Sequence, residues 1–556
     1  MRAVSRVSAV LAVAAASMIA IVPAAEAKPV DCQYTKAKKL VTLTIANTES
    51  TGWLVIEREF NSTRIGYEVE GEGWKRCGVA RTTNTNKVKV NGSTLSEEIY
   101  LSLENGPFTP GASNEKSGAD EIEFDLNLGD GTDSLWLVGG DRDDFLGFPK
   151  SGQANLNGDA DVDLVARGLD RWYLQGGEGN DTLNGRGAPR VQISGGEGAD
   201  RLYGGPGDDD LWGDDNGEPG RGDLLVGNGG ADDMYGYLGD DTLLGGDGDD
   251  WLVGHEDRDT MRAGPGDDAF SAMDSKDGAD LLDGGPGSDR AYYDDRASRV
   301  KVSLNDRADD GGKRERDNVR RNVEHVSGGS GNDTLVGSSA YNDLNGNDGN
   351  DVLRGLDAED SLDGDAGNDS LYGGSGDEWF GNESGLDKYF GDAGNDTLYA
   401  GSSNDGRDVF SGGAGYDRIY YDQRSNGVTI DVTDPGNDGE PGENDDVRSD
   451  FEYFVGGTGS DLIVGTSAAN YLSGGSGAGA DDLRGRGGAD DLYGNDGNDT
   501  LNGGEGQDEL YAGGGDDMVE AEDQGEDYID CGSGASDWLA SADVFDTYNN
   551  CEIVPA

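Results

Sequence analysis

From Gly328 to Tyr399 the chain divides without remainder into eight units of nine residues, starting GGSGNDTLV, GSSAYNDLN, GNDGNDVLR and ending GDAGNDTLY. The sixth position is Asp333, Asn342, Asp351, Asp360, Asp369, Glu378, Asp387 and Asp396. The eighth is Leu335, Leu344, Leu353, Leu362, Leu371, Phe380, Tyr389 and Leu398. A period that strict sets fold and chemistry together, because each unit can bury its apolar residue only against its neighbours. Unbroken register recurs from Gly227 to Ser271, carrying Asp232, Asp241, Asp250, Asp259 and Asp268. It recurs again from Gly485 to Glu520, carrying Asp490, Asp499, Asp508 and Asp517.

The eighth residue is apolar and its neighbours mostly are not, so the last three residues of a unit form a minimal strand with one side chain inward. Glycine at the first and fourth positions is expected to supply backbone dihedrals closed to other residues, letting the remaining six residues turn tightly. Two units then make one flattened coil, and residues 18 apart stack on the same edge. Asp232 lies over Asp250, and Asp250 over Asp268, at roughly the 4.8 Å separation of neighbouring strands. Two carboxylates at that distance repel by ~0.9 kcal/mol even at the dielectric of water. Over the three clean runs the total reaches ~10 kcal/mol, comparable with the whole stability of a domain, ~5–15 kcal/mol. Such a coil needs a counter-ion.

The ligands select the ion. Carboxylates and turn carbonyls, with no Cys or His in the lattice, favour a hard cation in flexible coordination, which is calcium rather than magnesium. Zinc is disfavoured by ligand type. The two histidines, His255 and His325, lie 70 residues apart.

The units match Gly-Gly-x-Gly-x-Asp-x-U-x, with U a large apolar residue, and the chain resembles the secreted hemolysin-type (RTX) calcium-binding repeat family. The resemblance covers roughly Gly139 to Cys551. It implies an all-β fold, a parallel β-roll or β-solenoid of nonapeptide repeats with a small N-terminal β cap, holding several calcium ions between successive turns. It makes the sixth-position acids ligands together with carbonyls of the turn glycines. Beside the aspartates of the three runs, the less regular units contribute Asp181, Asp200, Asp209, Asp223, Asp280, Asp289, Asp408, Asp417, Asp461 and Asp481. The stretch Cys77-Gly78-Val79-Ala80-Arg81-Thr82-Thr83-Asn84-Thr85-Asn86 and the closing Asp530-Cys531 are similar to terminal segments of Sec-exported members. Toxins and proteases of the family usually leave through a one-step exporter that reads a C-terminal signal, so an N-terminal leader weakens a toxin reading.

Arg2 and Arg6 precede an apolar run from Val7 to Val22, and Ala25-Glu26-Ala27 offers a cleavage site, so residues 1–27 read as a secretory signal and the protein as extracellular. No other apolar run approaches the ~20 residues of a membrane span. The net charge of −69 excludes nucleic acid as a partner. The acids fall on a lattice rather than in blocks, which argues against disorder. The four cysteines fit an oxidising compartment. Of three connectivities, the local one pairs Cys32 with Cys77 and Cys531 with Cys551, stapling each end.

Alternating segments at Leu40–Ile45, Trp53–Ile56, Glu98–Leu103 and Glu121–Phe124 read as short strands ahead of the repeats. Two interruptions are themselves a repeat. Adding 128 carries Asp289-Arg290 onto Asp417-Arg418, Tyr292-Tyr293 onto Tyr420-Tyr421 and Glu324 onto Glu452. Lys313, Arg314 and Arg316 occupy the first insert where the second is acidic, so the inserts read as bulged coils rather than calcium loops. The expected organisation is a leader at 1–27, a cap with transition coils at 28–125, repeats at 126–292, an insert at 293–327, repeats at 328–420, the duplicate insert at 421–455, and repeats with a disulfide-closed end at 456–556.

Calcium is the expected partner, with cell-surface or matrix glycans a further option. A secreted scaffold or adhesin is the leading use, and a calcium-stabilised enzyme or toxin-like effector the rival. No catalytic site is expected. His255-Glu256-Asp257-Arg258-Asp259 lacks the second histidine of a zinc-protease helix, no Gly-x-Ser-x-Gly elbow occurs, and no nucleophile–base cluster is visible in the non-repeat segment. Arg221-Gly222-Asp223 spells an integrin tripeptide but reads as the ordinary end of a repeat. Tyr493 and Tyr511 are expected to stack as a cross-strand pair, whereas Tyr372 and Tyr399 fall on opposite faces. About 20 coils would make a rod on the order of 100 Å.

Overall fold

The structure, a computed structural model, describes residues 30–551 apart from segments 36–39, 46–51, 59–63, 70–74, 82–86, 93–95, 104–122, 151, 157–162, 215–220, 272–277, 382–383, 403–405 and 435. The expected leader at 1–27 lies outside the described residues. Every regular element among them is a strand, and no helix is long and apolar enough to cross a membrane. The chain forms two compact units, Met1–Gly207 and Asp208–Ala556.

In the first unit, parallel stacking starts well before the nonapeptides become regular. Strand Val30–Thr35 pairs antiparallel with Leu40–Ile45, and Gly52–Arg58 with Arg64–Val69. Gly52–Arg58 then pairs parallel with Glu97–Ser102, which continues through Ser134–Val138, Arg171–Glu178 and Gln192–Glu197. A second ladder runs Leu40–Ile45, Lys87–Asn91, Glu123–Asn127, Leu164–Arg167. Leu54, Ile99, Leu135 and Leu174 are buried between the two ladders' strands, so the coil core precedes the calcium motif.

The second unit is the parallel β-solenoid that the period predicts. Met234 pairs with Leu252 and Leu252 with Phe270; on the other face Leu353 pairs with Leu371. The partners in each pair are 18 residues apart, so one coil is two units. Strands such as Thr334–Val336 and Asp343–Asn345 bury only the middle residue, and the eighth-position side chains from Leu225 to Leu398 are at most 2 % exposed. One sheet runs unbroken from Asp210–Trp212 through His325–Ser327 and Tyr453–Val455 to Thr547–Asn549.

The opposite face is divided into three sheets, and the two inserts divide it. In the first, Asn318–Val319 closes the sheet behind by pairing with Leu281–Asp283, while Lys301–Ser303 opens the next by pairing with Thr334–Val336. In the second, Asp446–Val447 and Thr429–Asp431 repeat the arrangement. Antiparallel bridges Asp310–Asp317 and Asp438–Asp445 draw each loop together. Both oxygens of Asp310 accept backbone N–H groups, from Ser303 and Val319, and Asp438 does the same with Asp431 and Val447. Arg296 pairs with Glu315 and Arg424 with Glu443, the second pair wholly out of solvent. The inserts are therefore built alike despite their different surface charge.

The glycines divide their labour differently from the expectation. Positive φ falls on the second and fourth positions, where Asn228, Tyr237 and His255 (φ 72 to 79°) stand beside Gly230, Gly239 and Gly248. First-position Gly227, Gly236 and Gly245 have no left-handed φ. Their reason is space. A Cβ on Gly227 would lie 2.1 Å from Asp232 Oδ2 and 2.6 Å from the Gly245 carbonyl oxygen. Ala263 and Ala512 stand at this position in two other units, so a methyl is accommodated there.

Cys531 and Cys551 are bridged across the last coils. Cys32 is also disulfide-bonded; the Cys77 side chain lies outside the described ones.

Candidate metal centre

Every aspartate assigned to the sixth position above is buried. The turn explains it: the residue follows a left-handed fourth position and precedes a strand whose next inward residue enters the core, so its side chain points back beneath its own turn. Along the ladders Oδ1 is spent on the preceding coil; Asp333 and Asp461 also spend Oδ2, on the Gly329 and Gly457 N–H groups of their own turns. Asp250 Oδ1 accepts from the Asp232 backbone N–H at 2.9 Å, and Asp268 Oδ1 from Asp250 at 2.8 Å. The opposite edge repeats this from Asp223 through Asp241 to Asp259. In the longest run the bonds link Asp333, Asp351, Asp369, Asp387 and Asp408 at 2.6 to 2.8 Å, and near the C-terminus Asp461, Asp481, Asp499 and Asp517 at 2.8 Å.

The second oxygen is the informative one. Oδ2 of Asp232, Asp241, Asp250, Asp268, Asp351, Asp360, Asp369, Asp490, Asp499 and Asp508 is buried with no hydrogen-bond partner. A buried carboxylate oxygen left this way costs several kcal/mol on the order expected for an uncompensated polar or charged group. It lies against the first-position glycine of its own turn and close to the carbonyl of the next coil. Burial, first, and the charges of stacked neighbours, second, push Asp232, Asp241 and Asp351 up to about 8, against partial relief from the backbone N–H bond. Among the described residues no three Asp, Glu, His or Cys side chains converge. The donor set is instead a carboxylate oxygen with backbone carbonyls, all hard oxygens, which suits calcium and not a metal that demands nitrogen or sulfur.

The two odd ligands of the opening stretch behave differently. Asn342 has its Oδ1 occupied by the Ser338 N–H, and its amide donates to the Glu324 carbonyl, so it offers nothing to a cation. Glu378, one methylene longer, is pushed up to about 9 by burial and by its contact with Asp396. Asp369→Ala should therefore raise the calcium concentration needed for half-maximal β signal severalfold and cost about 1–3 kcal/mol through the stranded Asp351 N–H. Asn342→Ala should shift the calcium midpoint far less in the same titration.

The carboxylate ladder is longer than the nine-residue count suggests. Asp289 N–H donates to Glu324, Asp280 to Asp317, Asp417 to Glu452 and Asp408 to Asp445, carrying both edges across or into the inserts. Asp144 precedes Asp181 in the first unit, and Asp527, Asp537 and Asp546 extend the C-terminal end. Spacing hid the insert residues, but the 128-residue duplication, which preserves both Asp317/Asp445 and Glu324/Glu452, was a signal able to reveal them.

Other sequence motifs fall away. Asp223 of the Arg-Gly-Asp tripeptide is buried in the ladder. His255 stacks on Tyr237 at 4.9 Å. Tyr493 and Tyr511 do stack, at 4.9 Å, as part of a longer column from Trp379 through Tyr399, Tyr420, Tyr453 and Tyr471 to Tyr528, with ring centroids 4.1 to 5.9 Å apart. Tyr372 and Tyr399 lie in different sheets.

Stacked parallel coils edged by half-satisfied buried carboxylates define a metal-binding β-roll. A family model of the RTX calcium-binding nonapeptide repeat matches residues 173–188, 192–216, 220–243, 235–270, 327–361, 345–379, 382–419, 455–478, 484–519 and 503–536. The chain belongs to this RTX calcium-binding repeat family, and calcium is the metal its turns bind. No curated protein matches the chain.

Proposed function

We propose that this is a secreted β-roll whose folding is coupled to calcium, loose where calcium is scarce and closed outside the cell, where it serves as a scaffold or surface adhesin. The observation that carries the reading is the row of buried Asp Oδ2 atoms without partners, beside glycine carbonyls. A cation held only by the closed coil stabilises that coil by linkage, and extracellular sites with dissociation constants of ~10⁻⁴–10⁻³ M suffice. The Cys531–Cys551 bridge suits an oxidising exterior. The aromatic column favours the scaffold over glycan recognition, because ring faces already stacked on one another are not free to stack on sugars.

Circular dichroism of the purified chain at pH 7.5, first with chelator and then with millimolar calcium, tests the coupling. The expected result is a β spectrum that appears on calcium addition, and an unchanged spectrum would sink the reading. A binding screen against glycan arrays and cell surfaces separates the two uses: calcium-dependent capture supports the adhesin, and none supports the scaffold.

A further inference from the structure

We propose that Ser288, His325 and Asp343 form a nucleophile–base–positioning triad on the outer face of the roll, able to transfer the acyl group of short-chain esters. Ser288 Oγ lies 2.7 Å from His325 Nε2, and His325 Nδ1 lies 2.9 Å from Asp343 Oδ2. An ionised carboxylate can only accept, so in the neutral ring Nδ1 carries the proton and Nε2 is left to accept the serine hydroxyl. This is the arrangement by which such triads are recognised, by geometry and role rather than by sequence order.

The coil stack assembles it. Strand His325–Ser327 sits between Arg290–Tyr292 and Asp343–Asn345, with His325 paired to Arg290 on one side and Asp343 on the other. Ser288 is held at the turn before Arg290, its N–H donating to Asp267 Oδ1 at 2.9 Å. The first insert matters here, because it places His325 one coil after Ser288 although 37 residues separate them. His325 is the more sheltered partner, 14 % exposed against 41 % for Asp343. A concavity of about 190 Å³ lined by Arg290, Tyr292, His325 and Asp343 adjoins the ring.

The duplicated block supplies an internal contrast. Adding 128 keeps Arg290 as Arg418 and Tyr292 as Tyr420, but turns Ser288, His325 and Asp343 into Tyr416, Tyr453 and Tyr471. There Tyr453 and Tyr471 simply stack, at 4.1 Å and 3°. Three positions that are neighbours only in space differ together between two copies that otherwise agree closely in plan.

The chemistry closes. Ser288 Oγ adds to the ester carbonyl as its proton passes to His325 Nε2. The bond to the leaving alcohol breaks as His325 returns that proton to the alcohol oxygen. Water then repeats both steps on the acyl-serine, releasing the acid and restoring the hydroxyl. Asp343 positions the ring through its bond to Nδ1.

The test uses the full calcium-loaded chain with a fluorophosphonate probe, peptide mass spectrometry, and p-nitrophenyl acetate hydrolysis. The expected result is an adduct on Ser288, together with hydrolysis that falls roughly a hundredfold in Ser288→Ala and in His325→Gln. Circular dichroism should be unchanged in both. His325→Gln should also slow the labelling of its intact serine, so it carries the test alone if Ser288→Ala does not fold. The absence of an adduct on Ser288 overturns the proposal, as does labelling or hydrolysis that His325→Gln leaves unchanged.

Discussion

With calcium chelated, the protein at pH 5 should keep a cooperative β-type melting transition that it lacks at pH 8. The buried ladder carboxylates are the reason. Burial first, and nearby carboxylate charges second, raise Asp232, Asp241 and Asp351 from 3.8 to about 8, and Asp250, Asp360 and Asp490 to about 7. For an acid whose folded value is raised, the stability that protonation lends is fully present below the unfolded value near 3.8. It is lost progressively as pH rises from there through the folded value, which is about 7 to 8 here. Many such groups lose it together, so the calcium-free melting temperature should fall steadily from pH 5 to pH 8. Saturating calcium should reverse the slope, since protons then compete for the same oxygens. A calcium-free melting temperature that is flat or rising over this range would sink the account.

Arg424→Leu should destabilise the calcium-loaded protein by about 3–5 kcal/mol, because removing one partner of a buried ion pair leaves the other uncompensated. Arg424 and Glu443 are both 0 % exposed and meet at 2.7 Å. The same guanidinium donates twice to the Ala400 carbonyl, at 3.1 and 2.8 Å, tying the insert to the coil before it. The double variant Arg424→Leu/Glu443→Leu should recover part of the loss, the non-additivity expected of directly coupled residues. Arg296→Leu should cost less, since its partner Glu315 retains 10 % exposure. Denaturant titration in excess calcium reads all three. A change below about 1 kcal/mol for Arg424→Leu would show that the pair does not hold the insert.

What the sequence revealed is what the nine-residue period encodes. The 18-residue stack and the inward eighth position follow from counting, because each depends on a residue's place within its own unit. Properties set by contact between units were less legible. First-position glycine reads from sequence as backbone freedom, whereas at Gly227 the constraint is space, with Asp232 Oδ2 lying where a Cβ would go. Asp317 and Glu324 escaped the count because the insert shifts the ladder step from 18 to 37 and 35 residues. The contact of Ser288 with His325 escaped for the same reason, since 37 residues separate them, whereas His325 and Asp343 are 18 apart. Asn342 and Glu378 differ from the repeat by residue type, whereas how each uses its polar atoms is set by its neighbours.

The ladder bonds all point one way: the amide of each ladder residue is served by the carboxylate of the coil that follows, never by the one before. Every coil thus presents the same acceptor backward and the same donor forward. A segment cut at any two equivalent planes can be copied in without creating a mismatched junction, as the bonds Val300–Asp333 and Val428–Asp461, identical at 2.7 Å in the two blocks, illustrate. Copy number becomes a variable that evolution, or an engineer, can change without redesigning the parts. Toward the C-terminal end of the described residues the ladder runs from the Asp527 amide to Asp546, and there the covalent clasp between Cys531 and Cys551 joins the same two coils.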